Sequence, residues 1–201
     1  MKLLKLVLVV GSSLATISGA MADTVVNFDD LTSGQAIPGA YQGFNWSANW
    51  YAYSVIDYNG NYGNTATFPS DPNAAYNGFG VVDVSLSSGA AFDFVGAYFT
   101  GWAENDATAT FTAPSITVSG YNGATLVGTA TMNLSPSSFT WLAANLDNVT
   151  SLDFNNGGAS GQWWLMDNLT YSGAVPDGGM TIALLGGALV GLQALRRKLS
   201  V

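Results

Sequence analysis

The chain has 201 residues, with 13 acidic residues against 5 basic ones and neither cysteine nor histidine. It therefore lacks the means for a disulfide framework, a Cys–His pair, a Ser–His–Asp triad or a His-ligated zinc or copper site. The cations are Lys2, Lys5, Arg196, Arg197 and Lys198, so the long acidic stretch between them repels nucleic acid and anionic lipid and holds no lysine for a Ser–Lys dyad.

In chain order, Lys2 and Lys5 precede an apolar run from Leu6 to Ile17 and then a small-x-small site, Ala20-Met21-Ala22. That is the layout of a secretory signal peptide. Residues 1–22 are read as a leader for the export machinery and signal peptidase, with the mature chain opening at Asp23. The competing reading is an uncleaved anchor, for which the apolar run is short.

Residues 23–172 leave about 150 residues for one exported domain, enough for a core of its own. Short strand candidates run through it: Thr24–Phe28, Phe44–Trp46, Trp50–Asp57, Gly80–Leu86, Phe92–Phe99, Ala107–Thr112, Ser115–Tyr121, Ala124–Met132, Val149–Phe154 and Gln162–Tyr171. Asn122-Gly123 between two of them predicts a hairpin, because both residue types accept positive φ. Tyr-Asn-Gly recurs at Tyr58, Tyr76 and Tyr121 and is read each time as turn chemistry. In regular strands Phe92, Phe94 and Tyr98 share a face, Tyr51 and Tyr53 oppose Trp50, and Trp163 opposes Trp164. No stretch carries a 3.6-residue apolar period. The fold class expected is all-β, an antiparallel, jelly-roll-like β-sandwich.

Residues 173–201 form a tripartite end: Val175-Pro176-Asp177-Gly178-Gly179, an apolar run Met180–Leu195 broken only by Gln193, and Arg196-Arg197-Lys198 in the basic tail 196–201. As a helix the run spans about 24 Å, short of a hydrocarbon core of about 30 Å, and inserts by thinning the bilayer. One short C-terminal transmembrane helix over 180–195 is therefore expected, with the cations on the cytoplasmic side.

This end resembles the PEP-CTERM sorting tails of Gram-negative bacteria, in the variant reading Val-Pro-Asp-Ser-Gly, with Gly178 at the fourth position. The resemblance implies an exosortase-type processing enzyme as partner, with Val175, Pro176, Asp177, Gly178 and Gly179 as substrate residues and Arg196, Arg197 and Lys198 as the basic stop. It implies removal of the tail and delivery to the bacterial envelope, the cell surface or an extracellular exopolysaccharide matrix. A permanent single-span anchor is the alternative. A second resemblance rests on Val26-Asn27-Phe28-Asp29-Asp30-Leu31 and on Trp164-Leu165-Met166-Asp167-Asn168-Leu169-Thr170-Tyr171. These look like the opening and closing strands of exported bacterial jelly-roll domains, similar to carbohydrate-binding or galactose-binding-like sandwiches. It implies that the first and last strands lie side by side.

Three constellations are candidates for chemistry. If the terminal strands pair, Asp29, Asp30 and Asp167 could meet as an oxygen-rich site for structural calcium, against which stands a role as strand-end caps. No other cofactor is called for. Trp46, Trp50, Tyr51, Tyr53 and Trp102, joined by the pair Trp163-Trp164, are candidates for stacking on sugar rings, against which stands core packing. Glu104 and Asp106 are the carboxylates open to a glycosidase pair, against which stands a solvated loop. The expectation is a non-enzymatic, exported structural or adhesive protein that contacts polysaccharide. The alternative is a secreted glycoside-active enzyme using paired carboxylates.

Overall fold

The computed structural model describes residues 22–62, 66–102 and 111–173. The leader (1–21), the whole sorting tail (174–201) and the pair Glu104 and Asp106 lie outside the described residues. So does the expected strand Ala107–Thr112, apart from its last two residues.

The elements are β1 (Thr24–Val26), β2 (Ala40–Tyr41), β3 (Phe44–Trp46), β4 (Trp50–Ser54), α1 (Val55–Tyr62), β5 (Asn73–Asn77), β6 (Asp83–Gly101), β7 (Ser115–Asn122), β8 (Thr125–Asn133), β9 (Thr140–Asn155) and β10 (Trp164–Gly173). All strand pairs within the sheet are antiparallel, in the order β4-β5-β10-β6-β9-β7-β8, with β1 on β10 and β3 on β6. The two longest strands make this sheet a sandwich. The first half of β6 (Asp83–Ser87) lies between β3 and the last half of β9, which continues through β7 to β8. The second half of β6 (Phe92–Gly101) lies between β10 and the first half of β9. The expected strands Gly80–Leu86 and Phe92–Phe99 are thus one strand that passes from one layer to the other.

The core fills the space between the layers, largely with aromatic rings. Trp50 of β4 meets Trp46, Phe154 and Trp164 edge-on at centroid distances of 5.0, 5.2 and 5.5 Å. Such T-shaped contacts add to the burial of each large apolar surface. Trp50 Nε1 donates to Ser85 O, whereas Trp164 Nε1 is buried with no acceptor among the described residues.

Bulges decide which side chains join this core. Phe92 and Phe94 are buried, but the pairing of β6 with β9 shifts between Phe94 and Gly96, so Ala97 and Phe99 turn inward instead. Tyr98, expected on the face of Phe92 and Phe94, points outward and meets Trp141 edge-on at 5.0 Å. At the other bulge, Asn168 adopts a left-handed φ of 50°. Before it β10 pairs with β5; after it β10 pairs with β1 along Thr24↔Tyr171 to Val26↔Leu169. The first and last strands do lie side by side, as the second resemblance implied.

Three local expectations change. Val55, Ile56 and Asp57 start α1 rather than extend β4, because Ser54 caps the helix: its Oγ accepts from Asp57 N–H at 3.1 Å and donates to the Asp57 carboxylate at 2.9 Å. Tyr58-Asn59-Gly60 lies inside that helix and is not a turn. The β7–β8 hairpin forms as expected, but Asn122 pairs with Thr125, so the loop is Gly123-Ala124, one residue later. Gly123 supplies the positive φ, 57°.

Candidate functional site

The outer face of β4, β5 and the start of β10 carries a second aromatic cluster, separate from the core between the layers. Strand alternation produces it. Trp50 and Ala52 face inward, so Tyr51 and Tyr53 face outward. Pairing sets Tyr51 opposite Tyr76 of β5, and Tyr76 opposite Leu165 of β10. Trp163 and Trp164 diverge as adjacent strand residues must, Trp164 into the core and Trp163 onto this outer face.

One end of the cluster is packed under α1, where Tyr58, Phe68, Ala74, Trp102 and Leu165 are buried together. The other end opens into a cleft of about 260 Å³ lined by Tyr51, Tyr53, Tyr76, Gly78, Phe79, Trp102, Phe111 and Trp163. Seven of these eight residues are aromatic and none bears a charge. Tyr51 meets Phe79 at 5.5 Å and 88°, Tyr53 meets Tyr76 at 5.7 Å and 80°, and Phe111 meets Trp163 at 5.3 Å.

Backbone hydrogen bonds hold these rings in place independently of any ligand. Trp163 N donates to Phe111 O at 2.7 Å, and Trp163 O accepts from Trp102 N at 3.1 Å and Ala113 N at 3.0 Å. Asn77 is fully buried at the end of β5. Its side-chain amide donates to Val81 O at 2.8 Å and Gln162 O at 2.9 Å, and its carbonyl accepts from Trp164 N at 3.0 Å. That clamp braces the 3-10 turn Gly78–Gly80. At its apex Phe79 is 72% exposed with a left-handed φ of 60°. A large apolar side chain displayed in a disfavoured backbone region is the kind of strain that collects at binding sites. The Tyr51 ring lies directly against Gly78, where a Cβ would stand 2.2 Å from it.

The expected sugar-stacking residues divide. Tyr51 and Tyr53 line the cleft, and Trp102, 5% exposed, forms its floor. Trp46 and Trp50 do not belong to it. Both belong to the core, Trp50 with no exposed surface, because alternation along β3 and β4 turns them inward. Trp163, which the sequence offered with Trp164 as part of the aromatic set, also lines the cleft, while Tyr76, Phe79 and Phe111 are lining residues that sequence reasoning did not place. Alternation across the Trp163-Trp164 pair sends Trp163 to the outer face, while Phe79 sits in a turn that no periodicity marks.

The expected carboxylate trio is not assembled. Asp30 accepts the Tyr41 hydroxyl, and burial, with that bond, raises the Tyr41 hydroxyl above its ordinary range. Asp29 accepts Asn73 N at 3.1 Å. Asp167 is fully buried and accepts Ser70 N at 2.7 Å, Ser70 Oγ at 3.0 Å and Asn168 N at 2.7 Å. Burial pushes the Asp167 carboxyl up to about 7, Asp29 adds repulsion, and the donors from Ser70 and Asn168 pull the other way. Among the described residues no three acidic side chains gather as a metal-holding group. The Phe-Asp-Asp-Leu and Asp-Asn-Leu segments tie loops to strand ends instead. Asn73 Nδ2 donates to Leu31 O at 2.8 Å, while Asp167 holds the loop at Ser70.

Among the described residues no helix is long and apolar enough to cross a membrane. The span expected over 180–195 lies outside them. The chain gives no match among curated proteins. Its structure is similar to the K2 cleaved adhesin domain of Lys-gingipain (Kgp), with 16% identity and a TM-score of 0.48, over 75% of this chain and 99% of that one. Residues 174–199 match the family model described as the VPDSG-CTERM motif. The chain thus carries a sorting tail of the VPDSG-CTERM, PEP-CTERM-like kind, which marks it for export to the cell envelope and for an exosortase-type system.

Proposed function

We propose that this exported protein is a non-enzymatic binding module that holds a neutral polysaccharide in its aromatic cleft and so serves a structural or adhesive role at the cell surface or in the extracellular matrix. The observation that carries this reading is the cleft itself: seven rings, no charged lining residue, and a backbone scaffold fixed before any ligand arrives. Sugar rings present apolar C–H faces that pack on aromatic faces, and hydroxyl edges that reach tyrosine hydroxyls and water at the rim. A pre-formed site loses little conformational entropy on binding. The acidic, base-free domain favours a neutral partner over an anionic one. We further propose that the exosortase-type system removes the tail.

Affinity electrophoresis through gels cast with neutral polysaccharides tests the proposal. Retardation by at least one neutral polymer, with no release of reducing ends from it, is the expected result. No retardation by any of them contradicts it. The enzymatic alternative predicts turnover that Glu104→Gln abolishes.

A further inference from the structure

Strand β8 ends the sheet path, and among the described residues no strand or backbone hydrogen bond covers its outer edge. Its inner edge pairs with β7 from Ser115↔Asn133 to Gly120↔Gly128 and again over Tyr121↔Leu126 and Asn122↔Thr125, with a bulge at Val127 between the two stretches. The fold treats its other edges differently. At the far end of the path, the segment before β2 seals β4: Ile37 N donates to Trp50 O at 2.8 Å, Ala52 N to Gln35 O at 2.9 Å, and Gly34 N to Ala52 O at 2.8 Å. The part of β9 that β7 leaves unpaired is broken by Asn145 and Asn148 in left-handed conformations, φ 48° and 56°.

An uncovered edge invites pairing, and proteins ordinarily blunt it with lysine, proline, an inward charge, a bulge or a short strand. Thr125-Leu126-Val127-Gly128-Thr129-Ala130-Thr131-Met132-Asn133 has no lysine, proline or charge, and its bulge at Val127 leaves residues 128–133 in regular register. It is nine residues long, and Leu126 and Val127 are 52% and 45% exposed. Charge points to what pairs with it. From Ala107 to Leu146 the chain has no Asp, Glu, Lys or Arg, whereas nearly all of the acidic residues lie elsewhere in the domain. Two copies of so acidic a domain repel one another at most surfaces. At β8 they meet without like charges facing each other.

We infer that β8 is a homotypic edge: two copies of this chain pair antiparallel, β8 to β8, about a two-fold axis near Thr129, and fuse two sheets into one. Antiparallel pairing of identical strands is self-complementary and closes after two copies, so the product is a dimer and not a fibre. Repulsion between the acidic bodies opposes the contact, so added salt strengthens it. The inference does not depend on what the cleft binds.

Sedimentation velocity of the full chain in detergent, parent beside Val127→Lys/Thr129→Lys, tests it. The tail is common to both, so a difference reads the strand. The parent is expected to dimerise with concentration, at least tenfold more tightly in 0.5 M than in 0.05 M NaCl. The double-lysine chain stays monomeric with an unchanged melting temperature, and Thr129→Val retains the dimer. Because the chain has no cysteine, a second readout is available. Thr129→Cys should form an inter-chain disulfide on oxidation at least tenfold faster than Ile56→Cys, at an exposed helix position. A parent that remains monomeric, a dimer indifferent to both lysines, or equal cross-linking at the two cysteines overturns the inference.

Discussion

A Cβ built on Gly78 would stand 2.2 Å from Cδ2 of Tyr51, so the ring that lines one wall of the cleft rests directly on a bare backbone. Gly78→Ala must therefore push the Tyr51 ring out of its contacts with Tyr76 and Phe79. The expected outcome is a cleft distorted at moderate cost to the fold, about 1 to 3 kcal/mol for an overpacked contact. Polysaccharide affinity should fall at least tenfold while the circular-dichroism spectrum stays that of the parent. Full affinity in the alanine variant would show that Tyr51 takes no part.

Phe79 offers the opposite trade. Holding a non-glycine residue left-handed costs roughly 1 to 2 kcal/mol, and this one is exposed at the apex of a turn. Phe79→Gly relieves the strain and removes one wall of the cleft. The melting temperature should hold or rise while affinity falls, the signature of a residue kept for binding. A clear drop in melting temperature would instead make Phe79 a packing residue.

The two core tryptophans differ in a way that burial alone does not reveal. Trp50 donates from Nε1 to Ser85 O at 2.9 Å, while Trp164 carries its N–H into the core without an acceptor among the described residues. A buried unmatched donor costs about 1 to 3 kcal/mol, so Trp164→Phe loses packing but also sheds that penalty. Chemical denaturation should find Trp164→Phe milder than Trp50→Phe by about that amount. Equal losses would contradict the assignment.

Asp167 makes stability depend on pH. Its folded carboxyl titrates at about 7 against an ordinary value of 3.8, so the folded state keeps the proton over a range where the unfolded chain has lost it. The stability contributed by that proton is fully present below the unfolded value and is lost as pH rises towards 7. It amounts to at most about 4 kcal/mol. Denaturation midpoints should therefore fall between pH 4.5 and pH 8. Asp167→Asn, which cannot ionise, should flatten much of that slope. A slope unchanged in Asp167→Asn would assign it to general repulsion among the acids.

The sequence was most informative where one physical rule acted alone. Alternation separated Tyr51 and Tyr53 from Trp50, and Trp163 from Trp164. The Asn122-Gly123 pair marked its hairpin, and the Val-Pro-Asp segment with its apolar run and closing cations marked the sorting tail. It was least informative where tertiary context overrode pattern. Strand β5, Asn73-Ala74-Ala75-Tyr76-Asn77, has little β-forming character, yet it is central because β4 and β10 bury it from both sides and its two asparagines bond to neighbouring backbone. The bulge before Gly96 reversed the facing of Tyr98. The helix α1 was signalled by Ser54 and Asp57 at capping spacing, a cue weaker than the aromatic run beside it. Asp29, Asp30 and Asp167 do not gather, because adjacent side chains such as Asp29 and Asp30 are drawn to different partners.

The most direct measurement is a titration of intrinsic tryptophan fluorescence with the neutral polysaccharide that retards the protein, comparing the parent with Trp163→Ala. The backbone bonds that position residue 163 survive the substitution, so the fold is retained while one ring of the cleft is removed. The account predicts a saturable change in the parent and an affinity at least tenfold weaker in Trp163→Ala, a loss of about 1.4 kcal/mol or more. Equal affinities in the two proteins would place the ligand elsewhere and contradict the aromatic cleft as the binding site.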